Sequence, residues 1–300
     1  MTYITINDLS NTIRQNIWKI PNDIDVIVGV PRSGMLPASI IAQHLNKPLI
    51  DVYQFINGNY VGKGGARFNT LIEHKIDRNN IKKVLIVDDC ISIFGYNHKI
   101  IDNLLTPLKD QFEIIQMVVY LESHNNNDLI DIYFEDVERY MHKDCQVVYY
   151  EWNIFTHNNE NARFLYDMDG ILCVDPPDDI NQETYESYLP NAIPKFIPIV
   201  YIGGIVTYRI KKYREVTEEW LRKYNVNYGQ LIMFDADSRE ERNDSGISGG
   251  QYKAAIYQES DAICFIESSV WEAEEIYQLT NKPVYCITNN FMYGNEYQPQ

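Results

Sequence analysis

A chain of 300 residues, 45% hydrophobic and carrying a formal charge of −16, can bury substantial cores but lacks the basic footprint that a nucleic-acid backbone requires. No apolar run is long enough to span a bilayer, and no basic-then-apolar leader opens the sequence, so neither a membrane nor a secretory route is expected. The five cysteines (Cys90, Cys145, Cys173, Cys264 and Cys286) form no CxxC pair, which argues against a zinc site or disulfide framework and points to a reducing, cytoplasmic setting.

Apolar runs alternate with helical stretches along the whole length. Val26-Ile27-Val28-Gly29-Val30 reads as a strand ending in Pro31-Arg32-Ser33-Gly34, followed by a helix over about residues 37–45. Further strands are predicted at 49–52 and at 84–87, the latter ending in Asp88-Asp89. A helix follows over about 96–104, then strands at 114–121 and 147–150. The polar stretch at 156–161 reads as a boundary, after which the pattern restarts. Strands are predicted at 164–166, 197–202, 231–234, 262–266 and 283–287, with an amphipathic helix over 217–224. The expected fold class is α/β, with two doubly wound parallel-sheet domains at residues 1–156 and 157–300.

The second half concentrates chemistry at strand ends. Phe164-Leu165-Tyr166 delivers Asp167 and Asp169 together at a strand's C-terminal end, and Gly170 lets the backbone turn at once. Thr207, in Ile205-Val206-Thr207 after the strand expected at 197–202, can hold a phosphoryl oxygen. Lys253, near the start of a helix, can offset anionic charge, and Glu267 ends the apolar run Phe265-Ile266. A carboxylate attacks a phosphate only where accumulated negative charge is neutralised, and these residue types supply what that needs. A bare Asp-x-Asp can equally be a turn or capping device. Asp235, Asp237 and the charge run at 238–242 read as a solvated loop, or alternatively as a gate at the mouth of the site.

The order of Asp167, Asp169, Thr207, Lys253 and Glu267 resembles the haloacid dehalogenase superfamily of phosphatases over roughly residues 164–289. The strings Asp-Met-Asp-Gly-Ile-Leu-Cys-Val-Asp-Pro, Ile-Val-Thr-Tyr-Arg and Phe-Ile-Glu-Ser-Ser look like a subgroup fused to phosphoribosyltransferase domains. The resemblance implies Asp167 as nucleophile, Asp169 as general acid/base, and Thr207 and Lys253 on the phosphoryl group. It implies Mg²⁺ held by Asp167, Asp169 and Glu267, and a small phosphorylated metabolite as substrate. The intervals from Asp169 to Thr207 and from Thr207 to Lys253 leave room for a minimal cap or none.

In the first half, Val84-Leu85-Ile86-Val87-Asp88-Asp89 followed by residues 90–95 resembles the signature of type I phosphoribosyltransferases. Gly29-Val30-Pro31-Arg32-Ser33-Gly34 resembles their pyrophosphate loop. The resemblance covers about residues 10–155 and implies binding of phosphoribosyl diphosphate by Arg32, Ser33, Asp88, Asp89, Ser92 and Gly95. Arg67 would belong to a hood loop at 57–67, and a homodimer is a family-level expectation. The phosphate loop departs from the pattern, with Phe94 where the family places glycine and the glycine displaced to Gly95. Either Gly95 serves the 5′-phosphate or that site is lost. The implied function is a bifunctional enzyme of nucleotide-like or sugar-phosphate metabolism, a hydrolase with a phosphoribosyl-binding domain. The alternatives are phosphoribosyl transfer as the main activity, or a degenerate ligand-binding regulator.

Overall fold

The computed structural model describes residues 1–59, 61–62, 75–76, 80–92, 95–141, 147–177 and 181–297. The chain divides into two compact units, one of Thr2–Trp152 with Tyr297, the other of Asn153–Glu296 with Met1. Among the described residues no helix is long and apolar enough to cross a membrane.

The N-terminal unit contains strands β1 (Thr2–Ile4), β2 (Val26–Gly29), β3 (Leu49–Asp51), β4 (Val61–Gly62), β5 (Lys75–Ile76), β6 (Lys83–Ile91), β7 (Glu113–Leu121), β8 (Ile132–Asp136) and β9 (Val148–Tyr150). Its helices are α1 (Ile6–Asn16), α2 (Met35–Leu45), α3 (Val52–Ile56) and α4 (Tyr96–Leu105). Five strands form an all-parallel sheet in the order β3-β2-β6-β7-β8, while β1 pairs with β9 and β4 with β5. Alternate side chains of each strand serve opposite faces. Ile27, Leu85, Val87, Met117 and Val119 pack with Leu9, Ile13, Ala38 and Ile41 of α1 and α2. Val26, Val28, Val84 and Ile86 pack with Phe55, Ile101, Leu105 and Phe112 on the other side. Burial on both faces is why these strands read as unbroken apolar runs. Each fully buried aliphatic side chain contributes roughly 1.5–3 kcal/mol.

The C-terminal unit contains strands β10 (Phe164–Tyr166), β11 (Gly204–Ile210), β12 (Leu231–Phe234), β13 (Cys264–Glu267), β14 (Val284–Cys286) and β15 (Phe291–Tyr293). Its helices are α5 (Asn158–Asn161), α6 (Gln182–Tyr188), α7 (Arg214–Lys223), α8 (Arg239–Asp244), α9 (Gly249–Glu259) and α10 (Val270–Thr280). The sheet order is β12-β11-β10-β13-β14-β15, parallel except for the last strand. Both units are thus α/β with parallel sheets. In each, the strand order reverses once, between β2 and β6 and between β10 and β13, and ligands bind such sheets in the crevice outside that reversal.

Two predicted elements are corrected. Residues 197–202 are not a strand: Pro198 lacks the N–H a ladder requires, and only an isolated Ile202–Tyr228 bridge forms. The strand is β11, so Thr207 lies inside a strand rather than after one. The third strand does not stop at Val87. β6 continues through Asp88 and Asp89 to Ile91, paired to β7 along that length. The sequence reading also passed over β1 and α1, although Thr5 and Asp8 form a reciprocal capping box that opens α1.

One buried acid sets a pH dependence in the N-terminal unit. Glu122, next after β7, accepts a hydrogen bond from Tyr150 Oη at 2.7 Å. Burial pushes its carboxyl up to about 7, against the pull of the Tyr150 and Cys90 hydrogen bonds. The folded state therefore favours the protonated acid, a stabilisation complete below the ordinary glutamate range and lost as pH rises to about 7. Glu122→Gln is expected to recover that loss, of order 3 kcal/mol between about pH 4.5 and 7. Thermal unfolding across this range checks it, and parallel curves for the two proteins would refute it.

Candidate active site

The C-terminal crevice is built around one lysine. Lys253 of α9 is 3% exposed. Its Nζ donates to Asp167 Oδ2 at 2.8 Å, to Glu267 Oε2 at 2.7 Å and to Glu272 Oε2 at 2.6 Å. Burial pulls its pKa down, but the three carboxylates overturn that and hold it well above the usual lysine value. Asp167 moves upward as well, through burial and the negative charge of Glu267, Glu272 and Asp169, which Lys253 only partly offsets. Three carboxylates facing one ammonium leave surplus negative charge in a desolvated place.

Local sequence explains how each acid arrives. Asp167 leaves β10 with its Oδ1 accepting the Met168 N–H at 2.7 Å. Gly170 has φ +78°, and a Cβ there would lie 2.2 Å from Ser268 Oγ, so the turn admits only glycine. The Ser268 hydroxyl donates to the Asp169 carbonyl at 3.2 Å. Ser269 caps α10 through the Glu272 N–H at 3.3 Å, placing Glu272 at the lysine. Glu267 Oε1 accepts the N–H groups of both serines, at 2.8 and 3.0 Å. The two serines thus position the acids around them.

Asp169 is held by a second cation. Arg209, buried in β11, donates from Nε to Asp169 Oδ2 at 2.8 Å and from Nη2 to Oδ1 at 2.5 Å. Cys173 Sγ and Tyr188 Oη also reach Oδ1, each at 3.3 Å. Burial alone would raise this carboxyl, but the guanidinium and these donors bring it below the ordinary aspartate value. A cavity of about 240 Å³ opens here, lined by Asp167, Asp169, Thr207, Lys253 and Glu267. All five sequence-picked residues therefore converge. Arg209, Glu272 and Asp175 line the same cavity and were not picked as site residues, whereas Arg239 and Arg242, which also line it, fall in the charge run at 238–242 read as a solvated loop or alternatively as a gate.

Hard oxygen donors with surplus negative charge suit Mg²⁺. Asp167, Asp175 and Glu267 line the cavity and offer the carboxylate oxygens that would hold it, in exchange for the hydrogen bonds that Asp167 and Glu267 make to Lys253 and to backbone N–H groups. The set Asp167, Asp169 and Glu267 is not drawn together as a metal cluster, since Lys253 bridges two of its members. Among the described residues the trio with ligand atoms within 4.8 Å of one another is His124, Asp136 and Glu138, at the surface of the N-terminal unit.

In the N-terminal unit the loop after β2 meets the acids of β6. A Cβ at Gly34 would lie 2.5 Å from Asp88 Oδ1, so loop and acid are in direct contact. Asp89 Oδ2 accepts the Trp152 indole N–H at 2.7 Å. Burial, then the Asp89 charge, raises the Asp88 pKa well above normal. His98, 3.6 Å from Asp88, is brought down by burial to about 4 and is neutral at pH 7, so this contact is not an ion pair. Among the described residues its buried Nε2 has no hydrogen-bond partner. Arg32 is exposed and Ser33 half-buried in the loop. The Gly95 N–H donates to the Ser92 carbonyl at 3.0 Å, and among the described residues no side chain caps the α4 N-terminus that follows. Ile93, Phe94, Arg67 and most of the expected hood loop lie outside the described residues.

Asp169→Asn would leave the Arg209 guanidinium buried without its counter-charge, a loss of about 3–5 kcal/mol. The lowered aspartate pKa fixes the sign: the pair's contribution is complete above about pH 4 and fades as pH falls through the depressed value. Denaturant unfolding of the two proteins should show the full gap at pH 7 and a narrowing one below pH 4. A gap independent of pH would exclude the ion pair as its source.

Solved structures similar to the chain include three phosphoribosyltransferases. The purine phosphoribosyltransferase of Pyrococcus horikoshii is 18% identical, with 50% of this chain and 93% of that one covered and a TM-score of 0.32. The xanthine-guanine-hypoxanthine phosphoribosyltransferase of Helicobacter pylori is 11% identical, with 51% and 92% covered and a TM-score of 0.34. For the orotate phosphoribosyltransferase of Aeropyrum pernix the values are 13% identity, 44% and 72% covered, and 0.29. No curated protein matches the chain. Residues 2–92 match the family model of the phosphoribosyl transferase domain, and the N-terminal region of the chain thus carries a domain of that type.

Proposed function

We propose that the N-terminal unit binds phosphoribosyl diphosphate and acts in phosphoribosyl transfer. The reading is carried by the meeting of the loop at 31–34 with Asp88 at the sheet's order reversal, within the stretch that matches the family. Asp88 and Asp89 would accept ribose hydroxyls, and His98 Nε2, without a hydrogen-bond partner among the described residues, gives a further polar partner there. The α4 N-terminus after Gly95 would supply backbone N–H groups for the 5′-phosphate, and Arg32 a charge for the diphosphate. Calorimetry with phosphoribosyl diphosphate and Mg²⁺ is expected to show binding that weakens at least about tenfold in Asp88→Asn and in Arg32→Ala. Absent binding, or binding indifferent to both changes, would remove the reading.

A second reading concerns the C-terminal unit and is favoured by the Lys253–Asp167 contact: a phosphatase of the haloacid dehalogenase type. Asp167 would attack phosphorus as the bond to the leaving oxygen breaks, with Lys253 and Thr207 on the phosphoryl group. Water would then release phosphate, passing its proton to Asp169. Mg²⁺ at this site would supply the remaining charge compensation. Because Arg209 keeps Asp169 ionised, protonation of the leaving oxygen is the weak step, and substrates whose leaving group departs as an anion are favoured. We expect p-nitrophenyl phosphate to turn over faster than an alkyl phosphate. Asp167→Asn should abolish that turnover by about a thousandfold or more. Phosphate release that survives in Asp167→Asn would exclude the nucleophile.

A further inference from the structure

Two arginines in the C-terminal cavity have no role in the chemistry derived above. Arg239 and Arg242 lie three positions apart on α8, hence on one face of that helix, and both line the cavity that holds Asp167, Thr207 and Lys253. Each guanidinium is spread over a tyrosine ring. Arg239 sits 5.1 Å from the centre of Tyr185, on α6, and Arg242 sits 4.4 Å from Tyr208, on β11. A cation–π contact of this kind holds the guanidinium by its charge and does not use up its N–H donors. Arg242 spends one donor on the Tyr208 carbonyl at 3.0 Å, while its buried Nε has no hydrogen-bond partner among the described residues. Neither arginine makes an ion pair among the described residues, although the chain carries a charge of −16. The neighbouring acids Asp235 and Asp237 turn instead to the exposed Lys211, at 2.6 and 3.6 Å.

We infer that this cavity takes a small phosphate ester bearing a second oxyanion, with Arg239 and Arg242 gripping the second group. The inference rests on the phosphatase reading of the same site. The phosphoryl group goes to Asp167, Thr207 and Lys253, where the reaction would occur. The second anion, a carboxylate or a second phosphate, goes to the two guanidiniums, whose forked donors match either. A cavity of about 240 Å³ accommodates both groups of a ligand bridged by a few carbon atoms.

The test uses the full-length Asp167→Asn protein, which holds ligands without consuming them, titrated calorimetrically in Mg²⁺. Glycerol 3-phosphate carries one anionic group, 3-phosphoglycerate adds a carboxylate, and propane-1,3-diyl bisphosphate adds a second phosphate. At least one of the doubly anionic ligands should bind about tenfold or more tightly than glycerol 3-phosphate. Which one does so identifies the second group. Adding Arg239→Gln with Arg242→Gln should bring that ratio close to one, while Arg239→Lys with Arg242→Lys retains part of it. No preference, or a preference that persists in the glutamine variant, overturns the inference. If p-nitrophenyl phosphate is still hydrolysed by the wild-type protein, that result leaves the phosphatase reading standing. If neither hydrolysis nor binding of any of the three ligands occurs, both fall together.

Discussion

The buried ammonium of Lys253 and the three carboxylates around it are the constraint on which the C-terminal unit is organised. Taking any of these charges out of water costs several kcal/mol, and only close, well-aligned partners return it. The lysine comes from α9 and its partners from three other places: the turn after β10, the end of β13 and the first turn of α10. Bringing them within 3 Å of one nitrogen requires those elements to hold their relative positions. The parallel register of β10 with β13, residue for residue from Phe164–Cys264 to Tyr166–Ile266, supplies that rigidity. Charge compensation and sheet pairing therefore depend on each other.

Each unit reaches its concentration of polar groups by the same geometric route. A parallel sheet covered on both faces has no free apolar face to spare, so chemistry collects at the strand ends, where chains leave the core. In the N-terminal unit the result is a pair of adjacent acids on β6, one against the loop after β2 and the other on the Trp152 indole. In the C-terminal unit it is two cation-centred clusters side by side. One is surplus-negative around Lys253, and the other is balanced between Asp169 and Arg209. The two aspartates of the Asp-x-Asp pair have opposite surroundings, and their acidities diverge accordingly.

Much of this was legible in the sequence where the signal is local. The apolar run before Asp167, the glycine that must turn after Asp169 and the alternation of strands and helices are all set by near neighbours in the chain. So is the capping box at Thr5, which was there to be read. What escaped depends on partners distant in sequence. Glu272 looks like a helix-surface acid until the Ser269 cap aims it at Lys253, and Arg209 looks like a strand residue until β11 is set beside the Asp169 turn. The strand expected at 197–202 had the right composition, but Pro198 cannot donate to a ladder. Asp88 and Asp89 looked like a strand's end because acids are rare inside one, yet pairing with β7 carries the strand past them.

The contact of Gly170 with Ser268 carries a consequence for how this site can change over evolutionary time. The hydroxyl that fills the space above the glycine also fixes the Asp169 carbonyl, so the turn, the serine and the acid form one interlocked unit. A single methyl group at position 170 would have to displace that serine, and with it the carbonyl. Change at position 170 is therefore coupled to position 268, and both bear on where the Asp169 carbonyl lies.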